Sequence, residues 1–189
     1  EDTREIQLPK FLHWVPMVTR LSNPEGKGEV SMLDLLVNSL RMRPDRIIVG
    51  EIRRKREAEV LFEAIHTGHS VYATVHANDT EETINRLTNP PIDIPKTLLP
   101  AISMIVVQYR NRRTGLRRTF QISEILPDSS ANVLMQFDIR KDVLRKISKS
   151  KSLIKTITLF TGFSNSELLR SLKEKEAVLK WMVSQKIDT

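Results

Sequence analysis

The chain has 189 residues, of which 40% are hydrophobic and 28% charged, with a formal net charge of +7 and no cysteine. That length suits one domain, or a domain with a small appendage, and the apolar content excludes wholesale disorder. Without cysteine, disulfides, cysteine zinc sites and thiol nucleophiles are excluded, which fits a reducing compartment.

The longest nearly apolar run, Leu98–Val107, is interrupted by Pro100 and Ser103. It is about half the ~20 residues that a membrane-spanning helix needs. No secretory signal opens the chain. Its start, Glu1-Asp2-Thr3-Arg4-Glu5 without a methionine, reads as a fragment or a trimmed chain. The charge is uneven: residues 1–138 hold 18 Lys+Arg and 18 Asp+Glu, whereas residues 139–189 hold 12 and 5. The basic tail could face an acidic partner such as nucleic acid or anionic lipid. Its spread-out cations and few aromatics favour the solvated exterior of a helical bundle.

Residues 6–29 are punctuated by Pro9, Pro16, Pro24, Gly26 and Gly28 and are expected to be irregular. Ser31 and Asp34 are spaced as a capping box for a helix that ends before Pro44. Arg46–Gly50 (Arg-Ile-Ile-Val-Gly) is short, β-branched and apolar, as expected of a fully buried parallel strand. A helix over about Lys55–His66 closes at Gly68, and Ser70–Val75 is the next strand. Asp79 or Thr80 caps a helix to about Leu87. A short helix follows Pro90-Pro91. Strands near Ile102–Tyr109 and Arg117–Ile125 form a hairpin across Asn111–Gly115. Pro127-Asp128-Ser129-Ser130 marks a boundary, giving a core of residues 1–128 and a small, mainly helical subdomain of residues 129–189. In the second unit, Asn132–Phe137 is a candidate strand, and Ser152–Phe160 and Ser164–Ile187 are helical, with Gly162 closing the first helix and Ser164 and Glu167 spaced as a capping box for the second. Strands alternating with helices imply an α/β fold with a mostly parallel sheet and flanking helices.

Three stretches could carry chemistry. Glu1, Asp2 and Glu5 place three carboxylates in five residues, which repel unless a cation sits among them. An exposed acidic terminus is the plainer reading. Glu51 follows the apolar strand and Gly50, where a carboxylate at the carboxyl edge of a parallel sheet can hold a Mg²⁺-bound water. Gly50 would let the backbone turn or approach closely, and Arg53 could answer phosphate charge. An ordinary strand end has the same composition. His69 and His76 bracket the next strand seven residues apart, so a regular strand points them to opposite faces, which argues against a shared metal. A histidine just past a strand end can donate to a phosphate oxygen.

The run Arg53–Arg56 looks like a targeting or nucleic-acid patch, or the solvated start of a helix. Five arginines between Arg110 and Arg118 sit on the expected hairpin. They could contact a neighbouring subunit or nucleic acid, or protect an exposed sheet edge. The sequence contains no Gly-x-x-x-x-Gly-Lys-[Ser/Thr], so it has no phosphate-cradling loop of its own.

In this order and spacing the motifs resemble the C-terminal ATPase region of the secretion and pilus motor ATPases. These are the GspE-like and PilT-like proteins of type II and type IV secretion, type IV pili and archaeal surface filaments. Glu1–Glu5 resembles their Asp box, Leu40–Arg53 their Walker B segment, and Thr67–Asn78 their His box. Gln7-Leu8-Pro9, Trp14-Val15-Pro16 and Thr161-Gly162-Phe163-Ser164 resemble the archaeal branch most.

The resemblance implies a partial RecA-like P-loop NTPase core, working as a homo-hexamer with ATP and Mg²⁺ between subunits. By match to the motifs, Glu5 would orient the attacking water, Glu51 would hold Mg²⁺ through water, and His76 would contact the γ-phosphate. Glu1 and Asp2 would belong to the same nucleotide site. Arg41 and Arg53 would couple nucleotide state to the subunit interface, and His69 would pack behind the site. The implied partner is a membrane platform protein, at the cytoplasmic face of the membrane, with nucleic acid not expected. Without a phosphate loop, this chain alone is expected to bind ATP poorly. Two alternatives remain: a nucleic-acid translocating motor on the same core, and a non-catalytic assembly module.

Overall fold

The computed structural model describes residues 1–187. An irregular segment runs to Val30, tied by a single bridge between Arg20 and Val30. Helix α1 (Met32–Arg41) begins at the expected capping box. The Asp34 amide donates to Ser31 Oγ at 3.2 Å, and the Ser31 amide donates to Asp34 Oδ2 at 2.9 Å. Two of the amides left open at a helix start are thereby satisfied.

Strand β1 (Arg46–Val49), helix α2 (Lys55–His66) and strand β2 (Ser70–Ala73) form one unit of strand, crossover helix and parallel strand. The register pairs Arg46 with Ser70 and Val49 with Ala73. Ile47 and Val49 are buried, but Ile48 between them is 43% exposed. The expected fully buried strand is thus buried on one face only. Helix α2 covers that face through Ala58, Leu61, Phe62 and Ala64, all buried in the main core. The other face borders a hollow of about 440 Å³ lined by Leu12, Trp14, Leu35 and Ile48.

Helix α3 (Thr80–Thr88) is capped by Asp79, whose carboxylate accepts from the Glu82 amide at 2.8 Å. A 3₁₀-helix over Lys96–Ala101 contributes the fully buried Leu99. Strands β3 (Ile105–Arg110), β4 (Arg117–Ile125), β5 (Ala131–Asp138) and β6 (Val143–Lys146) then form a four-stranded antiparallel meander in that order.

The α/β class stands, but the expected mostly parallel sheet does not: β1 and β2 are the only parallel pair among the described strands. The reason is connection length. Turns of a few residues can join only antiparallel strands, whereas a parallel pair needs a crossover such as α2. The turn at residues 127–130 joins paired strands, so one sheet spans the expected boundary at 128.

Thr80 fastens α3 to this sheet. Its hydroxyl lies 2.7 Å from Ser123 Oγ, and its amide donates to Gln121 Oε1 at 2.9 Å. Helix α4 (Leu153–Thr161) ends at Gly162, whose φ of +69° closes the helix as expected. Helix α5 (Asn165–Ser184) opens on the Ser164–Glu167 capping box and buries only Leu168. No helix among the described residues is long and apolar enough to cross a membrane.

Candidate functional site

The carboxyl ends of β1 and β2 lie side by side, and their pairing continues past the strands. The Ile52 amide donates to Thr74 O at 3.0 Å, and the Thr74 hydroxyl donates to Gly50 O. These bonds hold the Gly50–Arg53 turn against the residues leading to His76. Glu51 and His76, 25 positions apart in sequence, therefore meet, with His76 Nε2 at 3.5 Å from Glu51 Oε1.

The irregular N-terminal segment crosses over this edge. Glu1 lies on Gly50: a β-carbon there would sit 3.6 Å from Glu1 Cγ. Asp2 is anchored by the Thr19 hydroxyl at 3.1 Å, and Glu1 O accepts from the Thr19 amide at 3.0 Å. Arg53 then spans two carboxylates. Its Nε donates to Glu51 Oε2 at 2.6 Å, and its Nη1 donates to Asp2 Oδ2 at 2.7 Å. The bond to Glu51, with the charges of Glu51 and Asp2, raises the Arg53 guanidinium above its already high ordinary value.

Four expected residues, Asp2, Glu51, Arg53 and His76, thus form one cluster at the carboxyl edge of the parallel pair, where open α/β sheets bind ligands. Its members differ in access. The Glu51 side chain is 17% exposed, whereas that of His76 is 80% exposed. The carboxylate is held by the fold while the imidazole is free to turn toward a ligand.

The other expected residues are placed differently. The Glu1 carboxylate turns back on its own segment, accepting from the amides of Glu5 at 3.3 Å and Ile6 at 3.1 Å. Glu5 is exposed, and its carboxylate has no hydrogen bond or ion pair among the described residues. Arg41 lies in the last exposed turn of α1, without an ion pair there. His69 closes α2: its amide donates to Ala64 O at 3.0 Å and its Nδ1 lies 3.2 Å from Thr67 Oγ1. Sequence reasoning did not single out Thr19 or Thr74. Thr74 lies within the quoted histidine stretch, but nothing in the sequence marks Thr19 as the anchor of Asp2.

The cluster sets two carboxylates, Asp2 and Glu51, around the one Arg53 guanidinium. The oxygen donors suit a hard divalent cation. Among the described residues no three potential ligands gather tightly enough to cage a metal. The histidine and the arginine supply donors matched to phosphate.

The sequence profile of the type II/IV secretion system proteins matches residues 1–119. An uncharacterized protein of Methanocaldococcus jannaschii is 36% identical over 187 residues, which is 95% of this chain and 68% of that protein. The type IV pilus assembly ATPase PilB of Acinetobacter baylyi is 36% identical over 104 residues, 54% of this chain and 18% of that one. A Mycobacterium tuberculosis protein whose name refers to conjugal transfer is 46% identical over 88 residues, 46% of this chain and 24% of that protein. The chain thus spans about a quarter or less of the last two relatives.

Proposed function

Because the chain belongs to the type II/IV secretion system protein family, we propose that it forms part of an ATP-hydrolysing motor for filament assembly or protein export. The observation that carries this reading is the cluster of Asp2, Glu51, Arg53 and His76 at one sheet edge. The pilus assembly ATPase among its relatives supports the same chemistry.

Glu51 and Asp2 would hold Mg²⁺ through water, the half-buried Glu51 fixing the position. When bound, Mg²⁺ draws negative charge off the phosphate oxygens of ATP. His76, exposed and next to Glu51, would present Nε2 to the terminal phosphate. Arg53 would exchange one of its carboxylate partners for a phosphate oxygen, so that nucleotide arrival loosens its tie to Asp2. Glu5, with its carboxylate uncommitted, would by its match to the motif orient the attacking water. The sequence has no phosphate-cradling loop, and in this reading another part of the motor would supply one. A RecA-like hexamer with nucleotide between neighbours accounts for a cluster that faces outward. The partner would be a membrane platform protein at the cytoplasmic face.

The test is ATP hydrolysis by the natural gene product. Glu51→Gln removes one negative charge at nearly constant shape and lowers kcat by about 100-fold or more, and His76→Ala lowers it by at least about tenfold. If both variants fold and both keep kcat/KM within about twofold of the parent, the cluster is not the hydrolytic site.

A second reading, a nucleic-acid translocating motor on the same site, is favoured by the relative named for conjugal transfer. It requires DNA-stimulated hydrolysis that falls steeply with salt.

A further inference from the structure

The antiparallel sheet has one strongly charged end. The β3–β4 turn and the β5–β6 turn lie together there, because β4 starts where β5 ends. Residues 110–118 and 138–145 hold eight Lys+Arg against two Asp, nearly the whole +7 excess of the chain. Both acids are already engaged. Asp142 accepts from Arg118 Nε and Nη2, each at 2.8 Å, and Asp138 pairs with Arg145 at 3.1 Å. Arg110, Arg112, Arg113, Arg117, Arg140 and Lys141 are exposed and make no ion pair among the described residues.

The surface is built rather than loose. The Arg118–Asp142 fork clamps one turn to the other. Asn111 Oδ1 accepts from the amides of Arg113 at 3.0 Å and Thr114 at 3.2 Å, and Asp138 Oδ1 accepts from those of Arg140 at 3.1 Å and Lys141 at 3.2 Å. Two aliphatic side chains stand among the cations: Ile139 is 57% exposed and Val143 is 50% exposed.

Six free cations on one tip repel each other unless an anionic surface neutralises them. Aliphatic residues exposed among cations match the boundary between lipid headgroups and acyl chains. They add nothing to contact with a phosphate backbone. The aromatics nearby are turned inward, Tyr109 packing on Phe120 at 6.0 Å and on Phe137 at 6.5 Å, so none is offered for base stacking. We infer that this end of the sheet docks directly on an anionic lipid bilayer, its arginines on the headgroups and Ile139 at the acyl boundary.

This surface shares no residue with the cluster of Asp2, Glu51, Arg53 and His76, so its test does not depend on ATP. The chain is sedimented with vesicles of equal parts phosphatidylglycerol and phosphatidylcholine, and with vesicles of phosphatidylcholine alone. Binding to a DNA duplex is measured at the same salt. Binding is expected to the anionic vesicles only and to fall with salt. Each cation near such a surface is worth about a factor of five, so Arg112→Gln with Arg113→Gln lowers partitioning about 25-fold. Arg140→Gln with Lys141→Gln, in the other turn, does the same and guards against one pair failing to fold. Ile139→Asn lowers it a further roughly tenfold. Equal binding to neutral vesicles, no binding to anionic ones, or indifference to both arginine pairs overturns the inference. Duplex binding that is tighter than vesicle binding and insensitive to Ile139→Asn also overturns it and assigns the surface to nucleic acid.

Discussion

Replacing Glu124 with glutamine is expected to cost about 3 kcal/mol of folding stability at neutral pH and almost nothing in strong acid. Glu124 lies near the end of β4 with no solvent exposure. Its carboxylate accepts from five donors: Asn132 Nδ2 at 2.7 Å, Ser150 Oγ at 2.7 Å, and the amides of Lys151 at 2.6 Å, Ser152 at 3.1 Å and Leu153 at 2.9 Å. The last three amides lead into α4, so one carboxylate satisfies a helix start and ties it to the sheet. Burial alone raises the carboxyl. The amides of Leu153 and Lys151, with Asn132 and Ser150, outweigh burial and bring it from 4.5 down to about 2. Because the folded value lies below the unfolded one, the stabilisation is complete above about pH 4.5 and is lost as pH falls through about 2. The fall from 4.5 to about 2 corresponds to about 3 kcal/mol. Glutamine keeps the shape but turns an NH₂ toward amide donors. Urea unfolding checks the expectation: with a slope of about 2 kcal/mol per molar, the midpoint falls by about 1.5 M at pH ~7. The difference between parent and variant closes as pH approaches ~2. A difference below about 1 kcal/mol at neutral pH, or one unchanged in acid, would refute the account of Glu124 as an ionised anchor.

Gly50 and Gly68 are expected to respond unequally to alanine. At Gly50 the new β-carbon meets Glu1 Cγ at an ordinary 3.6 Å, so Tm should move by less than about 2 °C, whereas at Gly68 the φ of +93° costs about 1–2 kcal/mol, or ~3–6 °C. Ser164→Ala removes the bond that Glu167 N makes to Ser164 Oγ at 3.3 Å and should cost about 1 kcal/mol. Since α5 buries only Leu168, the loss should show as hydrogen exchange about fivefold faster at Glu167–Leu169, with β4 amides unchanged.

What the sequence disclosed was whatever is decided within a few residues. Ser31 with Asp34, Ser164 with Glu167, and Gly162 act through local stereochemistry, and each sits where expected. Sheet type was lost because the parallel rule, sound for β1 and β2, was carried on to strands joined by short turns. Strand β6 (Val-Leu-Arg-Lys) is a short basic edge strand with no signal beyond its charge. Glu124 looked like any polar residue on a strand; its donors lie 8 to 29 positions away. The strand-end logic put Glu51 and His76 at the same sheet edge, where they meet. It could not rank three carboxylates in five residues, and the link between Asp2 and Arg53 spans 51 positions.

The contrast between anchored and loose parts of the cluster bears on how a motor could use it. The backbone under Glu51 is fixed by the Ile52–Thr74 and Thr74–Gly50 bonds and by the core beneath Ile47 and Val49. Moving it would break a ladder and uncover apolar surface. Arg53 is 59% exposed and Asp2 46% exposed, and pairs of that kind are worth roughly 0–1 kcal/mol. A phosphate offers the same guanidinium a charge-assisted bond of comparable or greater strength. Exchange of Asp2 for phosphate is therefore nearly balanced in energy and disturbs nothing in the core. Asp2 in turn is held by Thr19, so its release bears on the segment that crosses the sheet edge. In the proposed motor the rigid carboxylate would give a cation a fixed seat, and the exposed arginine, tied to two segments at once, would be the part free to report what sits there.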